Sequence, residues 1–486
     1  MNRGTVAGLA RRILLPQFTL TEVSHAGDPD AYEVSATSES YFVRPTMVPV
    51  GGIRRDGKPR WVKHRFNLFP IVLDRHGVPW AEAEVYLLAR MQGTLNPLAT
   101  TFMGIGDDLA SYRRFLDEEK IDWLEFPSLK QMRPTYRFSG HLTFCVKSEE
   151  LSASTARRRM GTVVSFYRWL ITEEVFEPAF PAWKERDVYI NISDARGFRR
   201  LKKVSKTDVS ISAPKQRDSF DGYIDDGGKL RPLPLEEQEW LVDALVSIGN
   251  IEMVLIHIFA LVTGARIQTV LTIRVRHVLM QEGSDASGEI RMPVGAGTGI
   301  DTKNDKQMVL HVPRWFYSML STYAMSERAT RRRSKAKGGD AEDQYLFLSE
   351  RGAPFYRSKE EAIQFDDEND LRHMKAGQAV RQFIRDRVLP FIREKYNVAH
   401  YHYRFHDTRA TAGMNWTDAQ MKLVTEGEIT LQDARKFVAV RMGHDSTATT
   451  DGYLQYRRNL KMVREVKVQQ ESHLKTLTEK AMAGLL

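Results

Sequence analysis

The rhythm of hydrophobic and polar positions changes several times along this chain, and the changes mark out its parts. Residues 1–99 read as an N-terminal arm or appendage of unknown role. They mix polar runs such as EVSATSES with the basic GGIRRDGKPR and keep no sustained period before Trp61. After Trp61, FNLFPIVLD is strand-like, His76-Gly77 turns the chain, and AEAEVYLLARM has the spacing of a helix. Over residues 100–180 the period becomes clearly helical. Leu109, Tyr112, Phe115 and Leu116 recur at helical spacing. The segment SASTARRRMGTVVSFYRWLITEE then opens on a Ser/Thr cap signal and sets Met160, Val163, Val164, Tyr167 and Leu170 on one face. Residues 181–231 turn polar, basic and rich in turn-formers, the composition of a linker able to lie across a phosphate backbone.

A larger domain is expected over residues 232–458. Helical patterns occupy PLEEQEWLVDALVSIG, IEMVLIHIFALVTGAR and TVLTIRVRHV, followed by two strand-like pieces, GEIRMPVG and QMVLHVP. The basic run ATRRRSKAKGGDAEDQ, which holds residues 331–344, reads as an exposed loop of unassigned role. The apolar YLFLSERGAPF, the helix GQAVRQFIRDRVLPFIREKY and the segment HDTRATAGMNW follow. The tail, 459–486, places Leu474, Leu477, Ala481 and Leu485 on one helical face. The fold class this predicts is mainly α with a small antiparallel β-sheet, an α+β fold.

Composition narrows the function. The chain has 486 residues and a formal charge of +9, which suits either a solubilising surface or a polyanionic partner such as DNA. Its single cysteine, Cys145, excludes an intramolecular disulfide and a multi-cysteine zinc site and fits a reducing cytosol. Its setting in LTFCV predicts a buried small hydrophobe. Arg11 and Arg12 interrupt any signal-peptide core, and the most apolar stretch, 253–262, contains His257 and falls short of the ~20 residues that span a bilayer. The expectation is a soluble cytoplasmic protein associated with the nucleoid, with no membrane partner.

The candidate chemistry lies in His406-x-x-Arg409, then Gly443-His444, then Tyr453 nine residues on. This is the shape of a phosphoryl-transfer site with a tyrosine nucleophile. Breaking a phosphodiester without metal requires the nucleophile, cations on the non-bridging oxygens, a proton for the leaving oxygen and a base. Arginine suits the oxygens because its planar fork is permanently charged, and preorganised cations act most on the extra charge of the transition state. Arg266, in LVTGARIQTVL, and Lys303, in the turn GIDTKNDKQMVLHV, are the upstream cations. Lys306 rivals Lys303, and Tyr456 is a second candidate nucleophile one helical turn from Tyr453. Arg157, Arg158 and Arg159 open a helix, where a phosphate partner would offset their conflict with its dipole and solvation is the alternative.

The order TGAR, a hairpin lysine in DTKNDK, HDTR, MGH and a tyrosine resembles the tyrosine recombinases, the phage-integrase family, over residues 232–458. LFLSERGAPF also matches a family segment, and the helices of 100–180 are similar to the family's core-binding, DNA-clasping domain. The resemblance implies Tyr453 as the nucleophile of a 3′-phosphotyrosyl intermediate, Arg266 and Arg409 as the phosphate clamp, and Lys303 as proton donor to the 5′ oxygen. It further implies His406 assisting the tyrosine's proton transfer, His444 bonding the phosphate, and no cofactor or metal. The implied function is site-specific recombination or integration for a mobile element, on double-stranded DNA, as a homotetramer with accessory proteins. The tail helix would then dock on a neighbouring protomer or on its own domain. A type IB topoisomerase-like strand transferase and a non-catalytic DNA-binding protein of the same fold are the alternatives.

Two features depart from the pattern: Thr269 stands where the family commonly carries an acidic residue, and thirty-five residues separate Arg409 from His444, room for an insertion. Replacing Arg266 or Arg409 by alanine is expected to cut strand cleavage by orders of magnitude with little effect on stability.

Overall fold

The computed structural model of the chain describes residues 8–483, apart from 37–38, 54–58, 95–96, 194–198, 213–219, 280–287, 360, 362–374 and 446. The fold is mainly helical with small antiparallel sheets. It divides into two compact units, one chiefly from the chain up to Lys215 and the other chiefly from Gln216 onward.

In the first unit, β1 (Arg11–Thr19), β2 (Thr21–Ser24), β3 (Tyr32–Ala36), β4 (Glu39–Pro45), β5 (Met47–Ile53), β6 (Pro59–Lys63) and β7 (Arg65–Leu73) precede any helix. β1 and β7 run antiparallel, with Arg11 opposite Leu73 and Thr19 opposite Arg65. β4 sits between β2 and β3, and β5 pairs with β6. Four helices follow: α1 (Ala81–Gln92), α2 (Ala99–Glu119), α3 (Pro134–Lys147) and α4 (Ala153–Thr172), the last capped by the Ser152 side chain.

One core joins Phe66, Phe69 and Val72 of β7 to Leu109, Tyr112, Phe115 and Leu116 of α2 and to Met160, Val163, Tyr167 and Leu170 of α4. Each large side chain buried there contributes about 1.5–3 kcal/mol, and β1, β7 and α1 are thereby packed onto the other helices. Gly106 allows the close approach: a Cβ there would lie 2.9 Å from Arg12 Cδ and 3.1 Å from Pro70 Cβ. Inside, Tyr112 donates to the Tyr167 hydroxyl at 2.8 Å, and Tyr167 donates to the Trp123 carbonyl at 2.7 Å. Ala182, Val209 and Ile211 join the same core, flanking the paired strands β8 (Glu185–Ser193) and β9 (Arg199–Thr207). Cys145 is only half-buried, contrary to expectation. LTFCV lies on α3, whose period sends Leu142 inward and leaves Phe144 on the surface beside it.

The second unit begins with a minimal hairpin, β10 (Ile224–Asp225) and β11 (Lys229–Leu230), then α5 (Leu235–Ile248), α6 (Ile251–Thr263), α7 (Ile267–Leu271) and α8 (Arg276–Leu279). The helix expected over TVLTIRVRHV is interrupted between α7 and α8. There Leu346 N–H donates to the Ile273 carbonyl and Val275 N–H to the Gln344 carbonyl, so bonds to a distant segment replace helical ones. β12 (Glu289–Val294) and β13 (Met308–Pro313) form the expected antiparallel pair, with Val294 opposite Met308.

Next come α9 (Arg314–Met325) and α10 (Glu327–Arg333). The basic run expected as an exposed loop is thus helical at its start, and Arg332 and Arg333 turn inward while Arg331 stays exposed. Buried Glu252 on α6 pairs with Arg332 at 3.1 Å and accepts from Nε and Nη2 of the preceding Arg328, both at 2.8 Å, and Arg333 is buried against the Ala324 carbonyl. A π-helical turn (Ile384–Val388) joins α11 (Gln378–Phe383) to α12 (Leu389–Lys395).

The chain ends in α13 (Asp407–Glu426), α14 (Leu431–Met442) and α15 (Thr447–Ala483). The long interval from Arg409 to His444 is filled by α13 and α14. Gly427 ends the first in the left-handed conformation, and a Thr430–Asp433 capping box starts the second. The tail helix is continuous with the helix carrying Tyr453, and Leu474 and Leu477 on it are exposed; Leu485 lies outside the described residues. Among the described residues no helix is long and apolar enough to cross a membrane.

Candidate active site

Arg266, Arg409 and the stretch from His444 to Tyr453, far apart in sequence, meet at one place. α6 ends at Gly264, whose φ of 65° turns the chain so that Arg266 caps α7. Arg409 lies in the first turn of α13 and is 2% exposed. His444 follows Gly443, the left-handed cap of α14. Tyr453, in the second turn of α15, is fully buried. Its ring lies against the backbone of α13 because residue 413 is glycine; a Cβ there would sit 2.5 Å from Tyr453 Cε1 and 3.0 Å from Met442 Cε.

At the centre of these groups stands Asp226, in the turn of the β10–β11 hairpin and 3% exposed. Its Oδ2 accepts from Arg409 Nε at 2.8 Å, from the Tyr453 hydroxyl at 3.1 Å and from His444 Nε2 at 3.2 Å. Its Oδ1 accepts from Arg266 Nη2 at 3.2 Å. Arg409 has further partners: Nη1 donates to the Gly264 carbonyl and Nη2 to the Met442 carbonyl, both at 2.7 Å. These carbonyls close α6 and α14, and a cation at two helix C-termini meets both dipoles favourably. His444 Nε2 faces an acceptor, so it carries the proton, and Nδ1 accepts from the Thr450 hydroxyl at 2.9 Å.

Lys303 is exposed on the short 3₁₀ turn between β12 and β13. A Cβ on Gly227 would lie 3.1 Å from Lys303 Nζ and 3.9 Å from Arg266 Nη2, so both cations face the hairpin turn. Lys306 is engaged elsewhere, donating to the Gly443 carbonyl at 2.8 Å and pairing with Asp445. Tyr456 packs on Phe220, ring centroids 5.0 Å apart, away from the cations.

The chain is similar to site-specific recombinases and integrases of known structure. XerH site-specific recombinase bound to palindromic difH substrate shares 14% identity, with 80% of this chain and 85% of that one covered, at a TM-score of 0.44. A lambda integrase (75–356) dimer bound to a COC′ core site shares 13%, covering 78% and 95%, at 0.43. The Tn1549 transposon integrase in complex with transposon right end DNA shares 14%, covering 79% and 99%, at 0.42. No protein-family model matches the sequence, and no curated protein matches it. At such distances nothing about activity passes from those proteins to this chain, and the functional reading rests on the site.

The electrostatics of the site stem from burial and from the crowd of charges. Burial opposes ionisation of Asp226, but the His444 hydrogen bond and the Arg409 charge outweigh it and hold the carboxyl far below the usual carboxylate range. The Tyr453 phenol is driven well above its ordinary value, first by burial and then by the Asp226 charge. Burial and the charges of Arg409 and Arg266 lower His406 to about 4, so its half-buried imidazole is neutral at physiological pH. Burial and Arg409 also lower Arg266.

Arg157, Arg158 and Arg159 lie on α4 of the first unit. Arg157 Nε donates to the Ile211 carbonyl at 3.1 Å, Arg158 binds buried Asp108 at 2.6 Å, and Arg159 lies 4.0 Å from it.

Asp226 escaped the sequence reading because Ile-Asp-Asp-Gly-Gly-Lys-Leu looks like turn-rich linker. A legible signal was the Asp-Gly-Gly turn between two apolar residues. Arg266 does have an acidic partner; it comes from residue 226 and not from position 269.

Proposed function

We propose that this chain cleaves and rejoins DNA at specific sites through a 3′-phosphotyrosyl intermediate, as a recombinase or integrase of a mobile element. The observation that carries this reading is the convergence of Arg266, Arg409, His444 and Tyr453 on a single anion. A position ringed by two guanidiniums and an imidazole, with a phenol touching the anion, suits an in-line attack on a phosphodiester. The Tyr453 oxygen forms a bond to phosphorus while the bond to the 5′ oxygen breaks and that oxygen keeps the electron pair. Lys303 supplies the proton to the 5′ oxygen. Neutral His406 is in the protonation state that accepts the tyrosine's proton. Rejoining is the reverse, with a 5′-hydroxyl attacking the phosphotyrosine. The partner is double-stranded DNA, with the active assembly a homotetramer on it and accessory proteins assisting, in the nucleoid of the cytoplasm.

The test is covalent capture. Cells expressing the protein are lysed in strong detergent, the protein is recovered, and attached DNA is sequenced, with Tyr453→Phe alongside. Adducts at one sequence, absent from the Phe variant, are expected. Adducts scattered over the genome would indicate a type IB topoisomerase. DNA crosslinked to the protein but never joined through Tyr453 would make it a non-catalytic binder.

A further inference from the structure

We infer that the β10–β11 hairpin is a removable plug: Asp226 occupies the place of the scissile phosphate, and the site accepts DNA only when the hairpin withdraws. The inference rests on the proposed function and names the regulation of that same site.

The argument is one of volume and charge. One carboxylate oxygen receives the Tyr453 hydroxyl, Arg409 Nε and His444 Nε2 at 2.8–3.2 Å, and the other receives Arg266. Those are the contacts expected of two non-bridging phosphate oxygens. A phosphorus about to be attacked must lie within about 3.5 Å of the tyrosine oxygen, and the carboxylate fills that space. Tyr453 is fully buried and Arg409 is 2% exposed, so no duplex reaches either group while Asp226 stays. A second anion beside it would also meet direct repulsion in a dry site. A permanent support for Arg266 would leave the nucleophile's oxygen open to the phosphate; Asp226 binds it.

The hairpin is built to move. Its strands have two residues each, and Ile224 and Leu230 are its buried apolar side chains, while Asp225, Gly227, Gly228 and Lys229 are exposed. Gly227 and Gly228, at φ of 72° and 151°, form a turn that few other residues adopt. The chain beyond Leu230 is anchored: Arg231 N–H donates to Asp407 and Leu233 N–H to Thr411, both at 3.0 Å on α13. The structure thus supplies a fixed pivot after Leu230 and a short tongue before it, held by Ile224 in its apolar cluster, by Arg404 on the Lys229 carbonyl and by the Asp226 bonds that a phosphate would replace.

The test uses full-length protein carrying Asp226→Asn, which keeps the volume and removes the charge, and Asp226→Ala, which clears the volume. In the capture assay, the Ala variant is expected to yield at least about tenfold more DNA adduct than wild type, with Asn between them. Adding Tyr453→Phe should abolish the gain. Adduct equal to or below wild type in both variants would overturn the plug and make Asp226 part of the working machinery. If no protein captures DNA, the recombinase reading fails, and inorganic phosphate judges the stand-in separately. Phosphate should raise the Tm of Asp226→Ala and leave wild type unmoved, and Arg266→Ala added to the Ala variant should weaken the response. No phosphate effect on the Ala variant would overturn the inference.

Discussion

Arg266 and Arg409 should part company when each is replaced by alanine. Arg409 is 2% exposed and makes three short bonds, to the Asp226 carboxylate and to the Gly264 and Met442 carbonyls. Its removal leaves a buried carboxylate short of its closest cation and strands two carbonyls at helix ends. Breaking a buried pair in this way costs about 3–5 kcal/mol. Arg266 keeps one-fifth of its side chain in solvent, touches Asp226 through a single 3.2 Å contact and is repelled by Arg409. Its loss leaves Asp226 with Arg409, His444 and Tyr453 and should cost no more than about 1 kcal/mol. The expectation from sequence that both changes spare stability is therefore kept for Arg266 and replaced for Arg409. Urea denaturation of each full-length variant, read by fluorescence and by amide exchange in α13 and α14, measures the difference. Equal losses within about 1 kcal/mol, or a loss under about 1 kcal/mol for Arg409→Ala, would refute the reasoning, whatever either variant does to strand cleavage.

Two further predictions concern buried groups away from the cleavage chemistry. His257, fully buried on α6, donates from Nδ1 to the Met253 carbonyl and accepts the Tyr403 hydroxyl at Nε2; burial lowers it to about 4. The unfolded chain takes up that proton near 6.5 and the folded chain only near 4, so His257 makes stability fall as pH drops through that window. His257→Asn should flatten the fall in a Tm-against-pH series, and an unchanged slope would count against it. Glu252, buried beneath α10, holds Arg328, Arg332 and the Tyr323 hydroxyl. Glu252→Ala should cost about 3–5 kcal/mol and expose residues 327–333 to trypsin; a variant as stable and resistant as wild type would show that these pairs hold nothing.

Periodicity by itself determined much of the helical framework. A helix of twelve or more residues must bury a stripe, and that stripe is written at spacings of three and four. The face of Met160, Val163, Val164, Tyr167 and Leu170 is buried as its spacing predicts, and the β12–β13 pair lies where two apolar runs flank a polar turn. Arg266, Arg409, His444 and Tyr453 were singled out from their order along the chain, and they do converge on one point. Short elements were not legible. The TVLTIRVRHV segment breaks where residues 344–346 supply its hydrogen bonds, and the basic run near 331 is drawn inward by a glutamate some eighty residues earlier. Neither partner is local, so no local pattern announces it.

The largest gap concerns Asp226. Its two-residue strands are too short to show a period, and its partners lie 40, 183, 218 and 227 residues away. Only the closing of α6, α7, α13, α14 and α15 around one point decided that this carboxylate, in a stretch that reads as linker, would fill the anion site. Sequence supplies the cations and the tyrosine. Tertiary structure decides which anion is bound to them, because burial and convergence belong to no single segment.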